Sequence, residues 1–127
     1  MSSPLSPARL WTSRVLSALP ALMLIGSSFM KLSHNPEFLK SWAAFGYSES
    51  AATPIGIAEL VSAILYLIPR TSVLGVVLIT GYLGGAIATH VHAGQNFLPP
   101  LIVALVAWGG LYLREERLWA LLPLRRD

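Results

Sequence analysis

Two charged residues and one histidine stand within or at the ends of strongly apolar runs, where ionisable groups are rare: Glu59, Lys31 and His90. Glu59 comes about six residues into such a run, some ~9 Å from its start at 1.5 Å rise per helical residue. An acidic residue at the centre of a membrane helix raises the free energy of membrane insertion by roughly 2.5–3.5 kcal/mol. Each Leu, Ile or Val lowers that free energy by only about 0.3–0.6 kcal/mol. We therefore expect Glu59 to face a bundle interior or a polar cavity.

Helical spacing supports that placement of Glu59. One face of the run carries small and polar residues, and the opposite face is aliphatic. The first face comprises Gly56, Glu59, Ser62, Ala63 and Tyr66, and the second Ile57, Val61, Ile64 and Ile68. Two interpretations stay open: Glu59, with Tyr66 on its face, handles a proton or contacts a ligand, or Glu59 only makes an interhelical hydrogen bond.

Lys31 closes the first apolar run, above a stripe of small and polar residues that includes Ser27 and Ser28. Its long aliphatic chain allows the ammonium to reach the lipid headgroups, and we expect the ammonium to lie there. Pairing with Glu59 is the alternative.

Three histidines could suggest a metal site: His34, His90 and His92. The i, i+2 spacing of the last two separates their side chains by about 200° around a helix, and no carboxylate is spaced to help them. We therefore predict no metal site. His90 is a candidate proton acceptor or ligand contact, the alternative being a solvated helix end.

The composition indicates a membrane protein. Of the 127 residues, 54% are hydrophobic and 12% are charged, whereas soluble domains carry about a quarter charged residues. The net charge of +3 does not indicate nucleic-acid binding, because the arginines stand at the ends of apolar runs and form no patch with interleaved aromatic residues. The absence of cysteine excludes thiol chemistry by the protein itself, so the reactive atoms of any redox chemistry would come from a cofactor, a substrate or a partner.

The predicted fold is all-α, an integral membrane bundle of four transmembrane helices with a short interfacial helix between the first and second spans. The predicted parts are a disordered lead over 1–10, spans at about 11–32, 53–68, 71–91 and 97–113 within a domain of 11–114, and a basic tail over 115–127. Asn35 and Pro36 predict the start of the interfacial helix and Gly46 its end. The tight Pro69-Arg70 connection makes spans two and three an antiparallel hairpin.

Basic residues predict the orientation. Seven arginines fall on one side of the predicted membrane, and only Lys31 and Lys40 fall on the other. The positive-inside rule then places both termini in the cytoplasm. Gly81-x-x-x-Gly85 favours close helix packing, either within one chain or in a homo-oligomer.

Several stretches resemble the DoxX-like family of small bacterial four-helix membrane proteins, over about 15–114. The most specific is the run Gly81-Tyr82-Leu83-Gly84-Gly85-Ala86-Ile87-Ala88-Thr89-His90; others are Ser28-Phe29-Met30-Lys31-Leu32 and Pro54-Ile55-Gly56-Ile57-Ala58-Glu59. The resemblance implies that Lys31, Glu59 and His90 occupy recurrent polar positions of the family. It also implies an association with membrane oxidoreductases, one family member being a subunit of a thiosulfate:quinone oxidoreductase. Where the family often has Arg two positions after the histidine, this chain has His92, which puts anion binding there in doubt.

Three hypotheses follow. The first is a membrane subunit that binds a quinone or another small lipophile through Lys31, Glu59 and His90 and works with an oxidoreductase partner. The second is a small proton-coupled transporter. The third is a scaffold without a site, which anchors a soluble partner through the tail.

Overall fold

The structure, a computed structural model, describes residues 6–126. This part of the chain is helical and contains no strand. Its α-helices are α1 (Pro7–Leu32), α2 (Pro36–Ala44), α3 (Ala52–Leu67), α4 (Ser72–His92) and α5 (Leu98–Arg114). Short 3-10 turns lie at Glu49–Ala51, Pro69–Thr71 and Glu116–Ala120.

Three helical segments are long and apolar enough to cross a membrane: Pro7–Leu32, Glu49–Leu67 and Pro69–His92. The fourth long helix, α5, is apolar but has 17 residues. The four long helices form a closed bundle in which α1 packs on α3 and α5, and α4 packs on the same two neighbours. The all-helical prediction is therefore confirmed, and at least three of its helices have the character of membrane spans.

The first helix begins one turn earlier than predicted. Pro7 occupies its first turn, and the Ser6 side chain accepts a hydrogen bond from the Arg9 amide at 3.2 Å, so this serine acts as an N-cap. Residues 7–10, predicted to be a disordered lead, are thus helical, and residues 1–5 lie outside the described part.

The predicted helix after the first span is present as α2. The Asn35 side chain accepts hydrogen bonds from the amides of Glu37 and Phe38, which caps the helix start. The helix ends before Gly46, which has a φ of 89° that side chains rarely adopt. At nine residues α2 is far too short to cross a bilayer, and it packs across the end of the bundle.

The two ends of the bundle differ. We call the end that carries Arg9, Arg70 and Arg114 the arginine end, and the end that carries α2 and His90 the histidine end. At the arginine end, Arg9 Nε donates to the Leu113 carbonyl at 3.1 Å and Arg114 donates to the Tyr66 carbonyl at 2.8 Å. These arginines satisfy carbonyls left open at the ends of α3 and α5.

Near the arginine end the helices make very close contact. A Cβ on Gly75 of α4 would collide with the backbone of Tyr66 in α3, and a Cβ on Gly110 would lie 2.8 Å from Ser17 Oγ and 2.9 Å from the Leu16 carbonyl carbon. Only glycine allows such approaches. The bundle is therefore tightly closed here, and its open space lies toward the histidine end.

Candidate ligand-binding cavity

A buried ion pair lies between α1 and α3. Lys31 Nζ is 2.9 Å from Glu59 Oε1, and the two side chains are 6% and 2% exposed. Two charges of opposite sign at this distance compensate each other where no water is available. The sequence-based expectation that Glu59 faces the bundle interior is confirmed.

The expectation that Lys31 reaches toward the headgroups is wrong. Side chains of an α-helix tilt toward its N-terminus, and α1 ends at the histidine end. The Lys31 side chain is therefore directed back into the bundle. It meets Glu59 there, so the alternative that the sequence left open is the correct one.

Aromatic rings surround the Lys31 ammonium. Its nitrogen lies 5.4 Å, 5.9 Å and 5.7 Å from the ring centroids of Phe38, Trp42 and Tyr82, which belong to α2 and α4. A cation at such distances from ring faces is attracted by the ring quadrupoles. The ammonium also donates to Ser27 Oγ at 2.6 Å, so two of its three N–H groups have partners among the described residues. The third N–H group has no hydrogen-bond partner within residues 6–126.

Tyr82 is the site residue that sequence reasoning missed. Its side chain lies beside Glu59 and Ser27, and it lines the same cavity as both. A tyrosine inside an apolar helix carries no signal of its own. The tight turn at Pro69–Thr71 could have revealed it, because Glu59 and Tyr82 stand almost equally far from that turn and therefore at the same depth in the hairpin.

A cavity of about 520 Å³ opens next to this cluster, in the half of the bundle nearer the histidine end. Its walls come from all five α-helices and are mostly apolar and aromatic. Its polar lining includes Ser27, Lys31, Ser41, Tyr47, Glu59, Tyr82, Thr89 and His90. Ligand sites commonly have this size and this combination of an apolar wall with a few polar groups.

His90 lines the cavity about 12 Å farther along α4 than Tyr82, at 1.5 Å per residue. Its Nδ1 lies 2.6 Å from the Ala86 carbonyl, which can only accept, so Nδ1 carries the hydrogen. In the neutral ring Nε2 is then a free acceptor. The ring also packs on Phe45 of α2, with centroids 4.9 Å apart.

The other histidines have different surroundings. His34 contacts Glu49 Oε1 at 3.1 Å and Thr53 Oγ1 at 3.0 Å, and His92 is exposed and does not line the cavity. Within residues 6–126 no three side chains of metal-binding type come together.

Tyr66 does not line the cavity. It shares a helix face with Glu59, as predicted, but it lies two turns nearer the arginine end. It is fully buried there, and its hydroxyl donates to the Ala107 carbonyl at 2.7 Å. This contact joins α3 to α5 and gives Tyr66 a packing role, apart from the cluster around Lys31.

The segment from α2 to α3 covers the histidine end of the cavity. Trp42 Nε1 donates to the Ser48 carbonyl at 2.8 Å, and the Trp42 ring stacks on Tyr47 with centroids 4.4 Å apart. The Tyr47 hydroxyl is 2.7 Å from Thr89 Oγ1 of α4. These contacts hold aromatic side chains over the opening and attach the segment to α4.

Residues 15–110 match the family model described as the DoxX-like family. The chain belongs to the DoxX-like family. Its matched region includes Lys31, Glu59, Tyr82 and His90 together with the whole of α2. No curated protein and no solved structure matches the chain.

Proposed function

We propose that this DoxX-like protein binds a small lipophilic molecule with a polar head, such as a quinone, in the cavity beside Lys31 and Glu59. The observation that carries the proposal is a set of hydrogen-bonding groups inside a largely apolar cavity of about 520 Å³. Lys31 has an N–H group left to donate to a carbonyl oxygen, and His90 Nε2 can accept from a hydroxyl. A quinone offers the first kind of oxygen, and its reduced form offers the second.

In this proposal the protein is a membrane subunit of an oxidoreductase system, and a partner subunit supplies or receives the electrons. Glu59 is placed to take up or release the proton that accompanies reduction or oxidation of the ligand, because it sits at the base of the cavity. Lys31 and Tyr82 orient the ligand head. The aromatic rings over the opening exclude water.

Tight packing favours binding over the alternative, proton-coupled transport. The cavity lies in one half of the bundle, and the close contacts at Gly75 and Gly110 close the other half. A transporter needs a path to both sides of the membrane, and none is open here between residues 6 and 126. The scaffold alternative is less favoured because part of the tail is packed on the bundle, with Leu118 7% exposed.

The first test is purification in a mild detergent, with an absorption spectrum and mass spectrometry of the extracted small molecules. A lipophile that copurifies with the unaltered chain and is lost from Glu59→Gln supports the proposal. Ser62→Ala is the matched control, because Ser62 is buried on the same face of α3 but does not line the cavity. Equal occupancy in all three proteins would contradict a binding role for Glu59.

We further propose that α5 is the fourth span and that both termini lie in the cytoplasm of a bacterial cell, with the chain in its inner membrane. Because α5 packs antiparallel on α1 over most of its length, it occupies the same depth as a helix that is long enough to cross. The arginine end then faces the cytoplasm.

In intact cells, a cysteine at Ser50 would react with a charged thiol reagent, and one at Arg117 would react only after permeabilisation. Reaction of Arg117→Cys in intact cells would overturn this topology.

A further inference from the structure

One stretch of the cavity wall is made of glycine. Gly81 and Gly85 both line the cavity and are exposed, and a Cβ built on either would meet no atom within 4 Å. At these positions only the backbone of α4 separates the cavity from the surface of the bundle. No side chain of α4 stands between the cavity and the outside of the bundle there.

Helix geometry places Gly85 on the flank of α4 nearer α3. Gly75 faces α3, because a Cβ there would meet the Tyr66 backbone, and Thr80 faces α5, because its hydroxyl accepts from Trp108 Nε1 at 2.8 Å. At about 100° per residue, Gly85 lies roughly 80° from the direction of Gly75 and roughly 140° from that of Thr80. Gly81 lies roughly 120° from Gly75 and roughly 100° from Thr80, on the outer side of α4. Gly85 thus faces the margin between α3 and α4, and Gly81 lies beside it.

Contacts on the remaining sides set the limits of this margin between α3 and α4. Toward the histidine end, the hydrogen bond between Tyr47 and Thr89 closes it. Toward the arginine end, the close approach of Gly75 to Tyr66 closes it. Ile55 of α3, which also lines the cavity, forms the edge opposite the glycines.

We propose that this framed margin, which we call the side window, opens the cavity to the lipid hydrocarbon, and that the ligand is an amphiphile with a tail. Its polar head would enter between α3 and α4 and reach Lys31 and Glu59, while its tail lies along Gly81 and Gly85 in the lipid. This inference rests on the proposed binding function and adds both the entry route and the class of ligand.

Cavity size supports that division between head and tail. A volume of about 520 Å³ suits a drug-sized head group. A long isoprenoid or acyl chain in addition to the head would exceed it, so the chain has to leave the cavity. The surface of α4 near the window offers it an apolar path, because Leu74, Val77 and Leu78 are 53%, 54% and 41% exposed.

The test uses the absence of cysteine in the chain and needs no ligand. Ala86, which is half-buried and lines the cavity behind the window, is replaced by cysteine as a reporter. The Ala86→Cys protein in liposomes is treated with an uncharged alkyl methanethiosulfonate dissolved in the lipid, and separately with a charged, water-soluble methanethiosulfonate. The labelling rates are read by mass spectrometry.

Variants at the glycines decide the result. Gly85→Leu puts a side chain in the window and should slow labelling of the reporter thiol by the lipid-dissolved reagent by about fivefold or more. Gly84→Leu is the matched control, because Gly84 is also exposed with open space around it but does not line the cavity. It should change the rate by less than about twofold. Ile55→Trp narrows the window from α3 and should act like Gly85→Leu.

An unchanged rate in both Gly85→Leu and Ile55→Trp would overturn the side window. So would faster labelling by the charged reagent than by the lipid-dissolved one, since the cavity would then open to water under α2. Neither outcome depends on whether the protein copurifies with a lipophile, so failure of the side window and failure of the proposed binding function are told apart.

Discussion

Lys31 Nζ and Glu59 Oε1 lie 2.9 Å apart between two helices of an apolar bundle, and both side chains are almost fully buried. Both charges are removed from bulk solvent, so each depends on the other for compensation. The pair also forms the base of the cavity, where Ser27, Tyr82 and the rings of α2 surround it. Stability and ligand binding therefore rest on the same two residues, and they have to be tested separately.

The first prediction concerns this dependence. Lys31→Met or Glu59→Leu alone should destabilise the fold by roughly 3–5 kcal/mol, because each leaves one buried charge without its partner. The double variant Lys31→Met/Glu59→Leu should recover most of the loss, since no charge remains. Thermal unfolding in mild detergent, followed by tryptophan fluorescence, measures all three variants.

A matched control for the charge pair is present on α2. Glu37 and Lys40 also form an ion pair, at 3.5 Å, but their side chains are 81% and 75% exposed. Lys40→Met should change stability by no more than about 0.5 kcal/mol. If the double variant at Lys31 and Glu59 loses the sum of the two single losses, the pair does not act as a compensating unit.

The second prediction concerns the adjacent glycines Gly109 and Gly110. A Cβ on Gly110 would press on Ser17 and the backbone of Leu16, so Gly110→Ala should destabilise by roughly 1–3 kcal/mol through overpacking. A Cβ on Gly109 would meet nothing within 4 Å, so Gly109→Ala should be neutral or stabilising by up to about 1 kcal/mol, because alanine favours the helix. The melting temperature should thus fall in Gly110→Ala and stay unchanged or rise in Gly109→Ala, and equal losses would contradict the close packing of α1 on α5.

Sequence periodicity was sufficient to predict the buried face of α3. Its polar and small residues, spaced for one helix face, are the buried ones, and the aliphatic residues opposite are exposed. Periodicity reports which way a side chain points around a helix, and this is the information that a buried face requires. The turn after α3 was also predictable, because proline limits the backbone there.

Other features of the site depend on the depth of a residue in the bundle and on the tilt of its side chain, which the residue type alone does not show. The pairing of Lys31 depends on the tilt of side chains toward the helix N-terminus, which directs a residue at the C-terminal end of α1 back into the bundle. Tyr66 and Tyr82 look alike in sequence, yet one contacts a backbone carbonyl and the other lines the cavity, because their depths in the hairpin differ. The early start of α1 is a different case, because Ser6-Pro7 is the same pairing of a capping residue with proline that predicted the start of α2, and it could have been read in the same way.

The third prediction concerns the tail. Trp119 Nε1 donates to the Tyr112 carbonyl at 2.7 Å, and the Arg9 guanidinium lies 3.8 Å from the Trp119 ring centroid. Trp119→Ala removes both contacts and should release the turn at Glu116–Ala120 from the bundle. Trypsin should then cut after Arg117 about tenfold faster, since local opening limits cleavage and tenfold corresponds to about 1.4 kcal/mol.

Trp11→Ala is the control for the tail, because Trp11 is 63% exposed and its ring lies 5.3 Å from the Arg14 guanidinium. It should leave the rate of cutting after Arg117 unchanged. Mass spectrometry of timed digests identifies the site. A tail that is cut equally fast in both variants and in the unaltered chain would not be held by Trp119.

The last prediction separates two histidines at the same helix end. His90 lines the cavity and has Nε2 free to accept, whereas His92 is exposed and does not line it. One neutral hydrogen bond contributes about 0.5–1.5 kcal/mol, so His90→Ala should weaken the binding of a quinone probe, titrated into the protein in detergent, by roughly two- to tenfold. His92→Ala should leave that affinity unchanged. Equal weakening by both replacements would point to a general effect on this helix end and would remove His90 from the ligand contacts.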